Sequence, residues 1–273
     1  MNQYNVRNIR IDPSVFQHPM DKQATQSVQS NQAFQKALKW ISENSVERVV
    51  RQLNHSSRAR VTPSVSPKLT RMIAEGCEMF GVGTEPELYL DRSYQLSMRA
   101  QGIKQPQIVM STEFLKHLDE RELWGMIACV TAGIRSGYCE ITFVEELCKC
   151  GLLPDILVIP LTSLFNVWHK YAQFSFDRAA LIATGDFNVT MRAIMAGEAP
   201  KNILANVNFS DPDCAYMKQA REFLQQTDGV TSIARTAKAM SGDGIFYVSR
   251  YIDLFHFYQS EYYDIMDEYG EDA

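Results

Sequence analysis

Cysteine and histidine are the side chains in this sequence best suited to hold a metal ion or to act as nucleophile and base. There are six cysteines and five histidines. Cys148 and Cys150 lie close together in LCKCG, but a structural zinc site normally adds a second pair of ligands at a regular spacing, and none follows. The histidines, at positions 18, 55, 117, 169 and 256, include no pair at i and i+4. We therefore expect no metal site, with zinc held by other histidine ligands as an alternative.

Cys129 offers a second kind of chemistry, because a thiolate becomes a strong nucleophile when a base or a positive charge lies nearby. His117 and His169 are the candidate bases. No local grouping of Cys, His and an acid matches a known spacing. A free cysteine among small residues usually packs as a small apolar side chain, so the sequence favours a reduced, buried Cys129.

The segment that carries Cys129 has strong helix signals. Asp119 and Glu122 form a capping-box pattern at its start. Apolar residues then recur at helical spacing, at Leu123, Ile127, Val130 and Ile134. Another face is made of small residues: Gly125, Ala128, Cys129, Ala132 and Gly133. Because a glycine inside a helix costs about 1 kcal/mol relative to alanine, the two glycines predict close packing against another element.

Composition and charge narrow the class of protein. Hydrophobic residues make up 45% of the chain and charged residues 22%, which is typical of a globular domain. The net charge of -5 and the lack of a basic stripe exclude a nucleic-acid surface, since phosphate binding depends on clustered Lys and Arg. The polar start, MNQYNVRNIRIDPS, has no apolar core of a secretory signal. We therefore expect a cytoplasmic protein.

The chain divides into a polar N-terminal arm, residues 1–30, and one domain, residues 31–273. The arm is rich in Gln, Asn and Ser and is expected to be ordered only where it docks. Within the domain, the patterns predict two helical runs broken near Asn44, a short strand over Ala59–Thr62 and a helix over Ser66–Phe80. Strands follow in ELYLDRSYQLSMRAQG and KQPQIVMST, directly before the helix described above.

The second half of the chain is predicted to be helical. Residues 151–168 are the most apolar part but are interrupted by Pro154 and Pro160, which favours a buried or surface-docking segment over a membrane span of about 20 apolar residues. Further helices are predicted over 169–186, 187–195, 213–226 and 247–266. The last of these is aromatic and leads into the acidic tail DEYGEDA, a partner site only as an alternative to packing on the domain.

Two longer segments, PQIVMSTEFLKHLDERELWGMIA and HKYAQFSFDRAALIATGD, together resemble the HtpX-like zinc metallopeptidases of the gluzincin type, in particular their soluble bacterial branch. The resemblance runs from HPMDKQA near His18 to the Tyr-rich C-terminal helix. It implies an α+β, zincin-like fold, mainly helical, with a small sheet placed before the active-site helix.

The resemblance also implies a zinc site, and this sequence departs from it at each position. In the family, two histidines of His-Glu-x-x-His hold zinc from one helix face, the glutamate activates the bound water, and a later glutamate completes the ligands. The two histidine positions correspond to Cys129 and Gly133, the general base to Val130 and the later glutamate to Gln173. Glycine has no side chain to donate and valine takes no proton, so the zinc expected for the family loses its ligands and base here.

One position of the family pattern is kept. Asp177 matches the aspartate that in the family supports a zinc-bound histidine, but this sequence has no histidine at the matching positions. We predict a structural role for it. Arg178 beside it could form a local polar pair with it, although adjacent residues do not share a helix face. The former cleft is expected to be lined by Trp124, Tyr138, Phe174 and Phe176.

The resulting hypothesis is a catalytically inactive metallopeptidase relative, or pseudopeptidase, that binds or scaffolds an unidentified protein or peptide. In a zincin the strand before the active helix can pair with an extended peptide, so residues 107–110 are the predicted binding edge. The alternative is an active hydrolase with an altered site, based on residual zinc or on Cys129. Nucleic acid is excluded as a partner, membrane contact is not expected, and the oligomeric state stays open.

Overall fold

The computed structural model describes residues 10–93, 96–225 and 247–270. Four strands form one sheet: β1 (Ala59–Val61), β2 (Glu87–Asp91), β3 (Met98–Gln101) and β4 (Gln107–Ser111). The helices before β4 are α1 (Pro13–Phe16), α2 (Pro19–Gln29), α3 (Gln32–Glu43), α4 (Val46–Ser57) and α5 (Pro67–Phe80). Those after it are α6 (Glu113–His117), α7 (Glu120–Arg135), α8 (Tyr138–Lys149), α9 (Asp155–Thr184), α10 (Phe187–Met195), α11 (Lys201–Leu204), α12 (Ala215–Gln225), α13 (Tyr247–Ser260) and α14 (Tyr262–Gly270). The fold is therefore mainly helical with a small mixed sheet, in agreement with the predicted α+β class.

Several local predictions are confirmed where capping chemistry sets the element bounds. The break near Asn44 is the end of α3, and α5 starts after Ser66, whose hydroxyl accepts a hydrogen bond from the Leu69 amide. Asp119 and Glu122 form the capping box that begins α7. The short strand β1 and the helix α10 also lie where the sequence placed them. These signals are local, so they survive in the tertiary structure.

The sheet has the strand order β1-β2-β4-β3. β2 and β4 run parallel, with Leu88 beside Ile108, and β3 pairs antiparallel with β4 on the other side. Both edges of β4 are thus occupied, and the prediction that residues 107–110 form a free edge for a peptide is wrong. The physical reason is that a parallel β2–β4 pair needs a connection, and β3 lies in that connection and takes the open edge of β4.

Two hydrophobic clusters form the interior. The larger lies between the sheet, α5, α7, the C-terminal half of α9, α10 and α13. The smaller is formed by α2, α3, α8 and the N-terminal half of α9. Phe176 packs against both clusters. Helix α9 therefore extends from one cluster into the other and connects them.

The prediction of two separate elements over 151–168 and 169–186 is wrong, because α9 is one continuous helix. Pro160 lies near its start and removes one intrahelical hydrogen bond donor, which a helix packed by Leu161, Phe165 and Trp168 can tolerate. The predicted last helix, 247–266, is instead two helices, α13 and α14, which meet at Glu261. No helix in the described residues is both long enough and apolar enough to cross a membrane.

Part of the predicted N-terminal arm docks on the domain. Helices α1 and α2 lie within residues 1–30, and α2 packs along α9. Val28 and Ala24 of α2 are buried in the smaller cluster. Residues 1–9 of the arm, and the end of the acidic tail at residues 271–273, lie outside the described residues.

Candidate functional site

The positions that the resemblance marks as the former zinc site lie where α7 crosses α9. The two helices run antiparallel, because Gly125 of α7 faces Thr184 and Gly133 faces Phe176. At both glycines an added methyl group would lie 2.7 Å or less from the facing side chain, on Thr184 Cγ2 and on Phe176 Cε1. The close helix packing predicted from these glycines is therefore present.

Cys129 and Val130, in the middle of α7, are both buried in the larger hydrophobic cluster. Cys129 is 5% exposed, and its S–H group donates to the carbonyl oxygen of Met126, 3.0 Å away in the same helix. Burial raises the pKa of Cys129 to about 12, and the neighbouring Asp177 carboxylate acts in the same direction. At neutral pH the sulfur is thus a protonated thiol without the properties of a nucleophile.

An aromatic ring occupies the space beside Gly133. Phe176 Cε1 would lie 2.5 Å from a methyl group at Gly133, and Tyr138 Cδ2 would lie 3.2 Å from it. Tyr138 and Phe176 themselves meet edge to face, with ring centroids 5.3 Å apart. A side chain longer than hydrogen at position 133 has no room unless these rings move.

A buried carboxylate lies directly behind these rings. Tyr138 and Ser175 both donate hydrogen bonds from their hydroxyl groups to Oδ2 of Asp21, and Thr25 donates to Oδ1 at 3.0 Å. Trp168 Nε1 in turn donates to the Thr25 hydroxyl at 3.1 Å. The network joins α2 to α8 and α9, and so it fixes the ring of Tyr138 against Phe176.

Asp177 is paired with a residue from a distant helix. Its carboxylate accepts two hydrogen bonds from Arg250 of α13, from Nε at 2.8 Å and from Nη2 at 2.6 Å. Arg178 forms its own bidentate pair with Asp253 of α13, at 3.1 and 2.9 Å. The predicted local pair of Asp177 with Arg178 is therefore wrong, because adjacent residues point to different sides of a helix and each finds a partner on α13.

The Asp177–Arg250 pair is ionised even though the Asp177 side chain is 3% exposed and the Arg250 side chain only 20% exposed. Burial raises the pKa of Asp177, and burial alone would lower the pKa of Arg250, but the Asp177 carboxylate raises the pKa of Arg250 above its ordinary value. At Asp177, burial and the Arg250 guanidinium therefore have opposite effects on the pKa. The two short, parallel guanidinium–carboxylate hydrogen bonds decide for the charged pair, because that geometry is the most favourable one for an ion pair with little water. A cation thus does lie beside Cys129 and Asp177, and it is a guanidinium.

The second pair extends to the N-terminal part of the chain. His18 Nε2 lies 3.4 Å from Asp253 Oδ1, and His18 Nδ1 accepts a hydrogen bond from the Met20 amide at the start of α2. Arg178 also lies over the ring of Phe257, 4.7 Å from its centroid. Burial opposes charge at Asp253, but hydrogen bonds from His18 and Arg178 lower its pKa below the ordinary value.

The four residues predicted to line a cleft do not share one space. Phe176 and Tyr138 meet beside Gly133, whereas Trp124 donates from Nε1 to the carbonyl oxygen of Ala183 at 3.0 Å, at the opposite end of the crossing. That end lies about two helical turns, roughly 12 Å, from Gly133. Phe174 packs on His18, with ring centroids 5.1 Å apart. Gln173 is half-buried, one turn before Phe176 on α9.

The two histidines named as candidate bases for Cys129 each lie beside a glutamate. His169 Nε2 lies 2.6 Å from Glu145 Oε2, and His117 Nε2 lies 3.3 Å from Glu113 Oε2. Within residues 10–93, 96–225 and 247–270, no three His, Cys, Asp or Glu side chains are grouped so as to hold a metal ion. Cys148 is half-buried and Cys150 is exposed.

Sequence reasoning missed Arg250, Asp253 and Asp21. A signal for the first two was present, because YVSRYIDLFHFYQS places one Arg and one Asp at i and i+3 in an otherwise aromatic helix. That spacing puts both charges on one helix face, opposite the Asp177–Arg178 sequence of α9. For Asp21, the polar composition of residues 1–30 hid a fully buried carboxylate.

Comparison of the chain with protein-family models, with curated proteins and with solved structures found no match.

Proposed function

We propose that this chain is a catalytically inactive relative of the HtpX-like zinc metallopeptidases, with a zincin-like arrangement of α7 and α9, and that it works as a protein- or peptide-binding or scaffolding protein. The single observation that carries the proposal is the Phe176 ring beside Gly133. It fills the space that a ligand side chain at position 133 would need, 2.5 Å from a methyl group placed there. A position without a ligand side chain, and without space for one, does not contribute to zinc binding.

Two further features support a site adapted to work without zinc. The cation beside Cys129 and Asp177 is the guanidinium of Arg250, so the charge of Asp177 is balanced by the protein itself. Val130, at the position of the general base, has a buried aliphatic side chain that cannot move a proton. We propose accordingly that the protein uses no zinc cofactor and does not hydrolyse peptides by the zinc mechanism.

Zinc content and protease activity test this proposal together. We expect elemental analysis of untagged, dialysed protein to give far less than one zinc per chain, and a general protein substrate to stay intact with and without added zinc. The Cys148→Ser, Cys150→Ser double variant is the control for metal bound adventitiously at LCKCG. Stoichiometric zinc that persists in this double variant, or hydrolysis that a chelator abolishes, contradicts the proposal.

The competing function is a hydrolase that uses Cys129. The high pKa of Cys129, about 12, and its burial oppose it. Alkylation at neutral pH distinguishes an inactive binding protein from a hydrolase that uses Cys129, with exposed Cys150 as the internal positive control. We expect Cys150 to react rapidly and Cys129 to react only on unfolding. Selective, fast modification of Cys129 in the native protein would favour the hydrolase.

If the protein works by binding a partner, that partner should still bind after the Cys129 thiol is removed. We expect the full chain, expressed in the cytoplasm where we place the protein, to retain the same protein or peptide as its Cys129→Ala variant. The partner does not use β4, since β2 and β3 occupy both of its edges. If neither form retains a partner from its own lysate, the binding function loses its support, whereas the proposed loss of catalysis is judged by the zinc and protease assays.

A further inference from the structure

The N-terminal half of α9 carries an apolar stripe that the described structure leaves exposed. We define this stripe as Ile156, Ile159, Ser163 and Val167, which recur at three- and four-residue spacing on one face of the helix. Ile156 is 81% exposed, Ile159 is 76% exposed and Val167 is 50% exposed. Single exposed apolar residues are ordinary, but two large ones one turn apart, with a third beyond Ser163 on the same face, indicate a contact surface.

The same part of the helix buries its opposite face. Leu161, Phe165 and Trp168 lie in the smaller hydrophobic cluster. Residues 156–168, ILVIPLTSLFNVW, contain no charged side chain. The exposed side carries Ile156, Ile159 and Val167 beside the polar Thr162 and Ser163. A surface helix is ordinarily polar on its solvent side, so these large apolar side chains indicate a second covering element.

The charges at the two ends of the stripe indicate what covers it. Asp155 precedes the stripe and Lys170 follows it, and both are exposed. If two copies of α9 cross antiparallel about Ser163, Ile159 faces the partner's Val167, and Asp155 lies near the partner's Lys170. Each end then pairs opposite charges, and the helix dipoles oppose each other. The small side chain of Ser163 at the crossing point suits the 8–10 Å axial separation of packed helices.

A lipid surface fits this face less well. Helices that lie on membranes carry Lys and Arg along their polar flanks. Here the charged residue at the start of the stripe is acidic, and Lys149, before it, already lies 2.9 Å from Glu145. The chain as a whole is acidic, with a net charge of -5. The charge pattern therefore favours a second copy of the chain over an anionic membrane.

We propose that the protein forms a symmetric dimer through this stripe, with the two α9 helices antiparallel and Ser163 at the two-fold axis. The inference goes beyond the proposed function and does not depend on it, since it concerns the other half of α9.

Analytical ultracentrifugation of the full chain tests the proposal. We expect the wild type to sediment as a dimer at micromolar concentration, and Ile159→Glu to raise the dissociation constant by more than about a hundredfold, because an unpaired charge would be buried twice in the symmetric interface. Val65→Glu is the matched control, because Val65 is 66% exposed and lies outside the stripe. It should leave the dimer unchanged. A monomeric wild type, or equal weakening by both variants, overturns the proposal.

A charge exchange tests the antiparallel register independently of folding. Lys170→Glu should weaken the dimer by about tenfold, since it brings two acidic groups together, and adding Asp155→Lys should restore the wild-type affinity. No restoration rules out this register. Flotation with vesicles of anionic phospholipid tests whether the stripe binds lipid instead. A monomeric protein that floats with the vesicles, and loses this in Ile159→Glu, assigns the stripe to lipid and overturns the dimer.

Discussion

The two halves of α9 are both apolar, yet the structure treats them in opposite ways. The C-terminal half, from Ala172 to Thr184, lies against α7 and α13, and Ile182 is 1% exposed. Among the described residues, the N-terminal half packs with one face on α2, α3 and α8, and Ile159 is 76% exposed. The charged residues also differ, since Asp177 and Arg178 are both fixed to α13, whereas Asp155 and Lys170 frame the exposed stripe.

This difference separates two uses of an apolar helix. The C-terminal half is buried at the place where the resemblance puts a zinc site. Its charged residues Asp177 and Arg178 form ion pairs with α13. The N-terminal half keeps its apolar side chains available for contact. If the protein acts through binding, the exposed N-terminal half has a surface available to a partner, and the buried C-terminal half holds the helix in position.

The largest expected effect is at the Asp177–Arg250 ion pair between α9 and α13. Replacing Arg250 by Met leaves the Asp177 carboxylate, 3% exposed, without its partner, and should lower the free energy of unfolding by about 3–5 kcal/mol. Urea denaturation measures the loss. The Asp177→Asn, Arg250→Met double variant should lose less than the sum of the two single variants, because no charge is then left buried. Additive losses would mean that the pair does not act as one unit.

A matched pair of isoleucine variants tests the contrast between the halves directly. Ile182→Ala should lower the free energy of unfolding by about 2–5 kcal/mol, because it leaves a cavity in the core. Ile159→Ala should change the free energy of unfolding by no more than about 0.5 kcal/mol. Thermal unfolding at low protein concentration, where a dimer would be dissociated, gives both values. Equal costs would refute the contrast.

The filled space beside Gly133 predicts a smaller effect. Gly133→Ala should lower the free energy of unfolding by about 1–3 kcal/mol despite the higher helix propensity of alanine, because the new methyl group collides with Phe176. Adding Phe176→Leu should recover part of the loss. Gly197→Ala is the control, since the nearest atom to its methyl group would be 3.8 Å away. A stabilised Gly133→Ala variant would show that the ring is not packed there.

The smallest expected effect is the pH dependence of the Asp253 pair. Because the pKa of Asp253 is lowered in the folded protein, its contribution to stability is fully present above the unfolded value of about 3.9 and is lost as the pH falls through the folded value. Urea midpoints between neutral pH and pH 3 should therefore fall more steeply for the wild type than for Asp253→Asn. Parallel curves would mean that Asp253 gains nothing from His18 and Arg178.

The sequence predicts well those features that depend on near neighbours in the chain. The capping box at Asp119 and Glu122, the break at Asn44 and the tight approach required at Gly125 and Gly133 each follow from a few adjacent residues. The continuity of α9 was missed, because Pro160 reads as a helix breaker. Only packing on both sides of the proline shows that the helix runs through it.

The candidate site could be predicted in what it lacks and less well in what it contains. Val130 and Gly133 cannot supply a base or a side-chain ligand in any fold, so this part of the prediction follows from residue type alone. The pairing of Asp177 with Arg250 could not be deduced, because Arg250 lies 73 positions from Asp177 along the chain. A contact of that kind depends on the path of the whole chain between the two residues.

The sequence by itself therefore determined several helix bounds with their caps, and it shows that α7 carries no His-Glu-x-x-His motif. The tertiary structure alone decided that β3 occupies the free edge of β4, that Phe176 fills the space beside Gly133 and that one half of α9 is buried while the other is exposed. Capping and periodicity act over a few residues, where the covalent chain itself holds the partners together. Burial and long-range ion pairs depend on which surfaces the completed fold brings into contact.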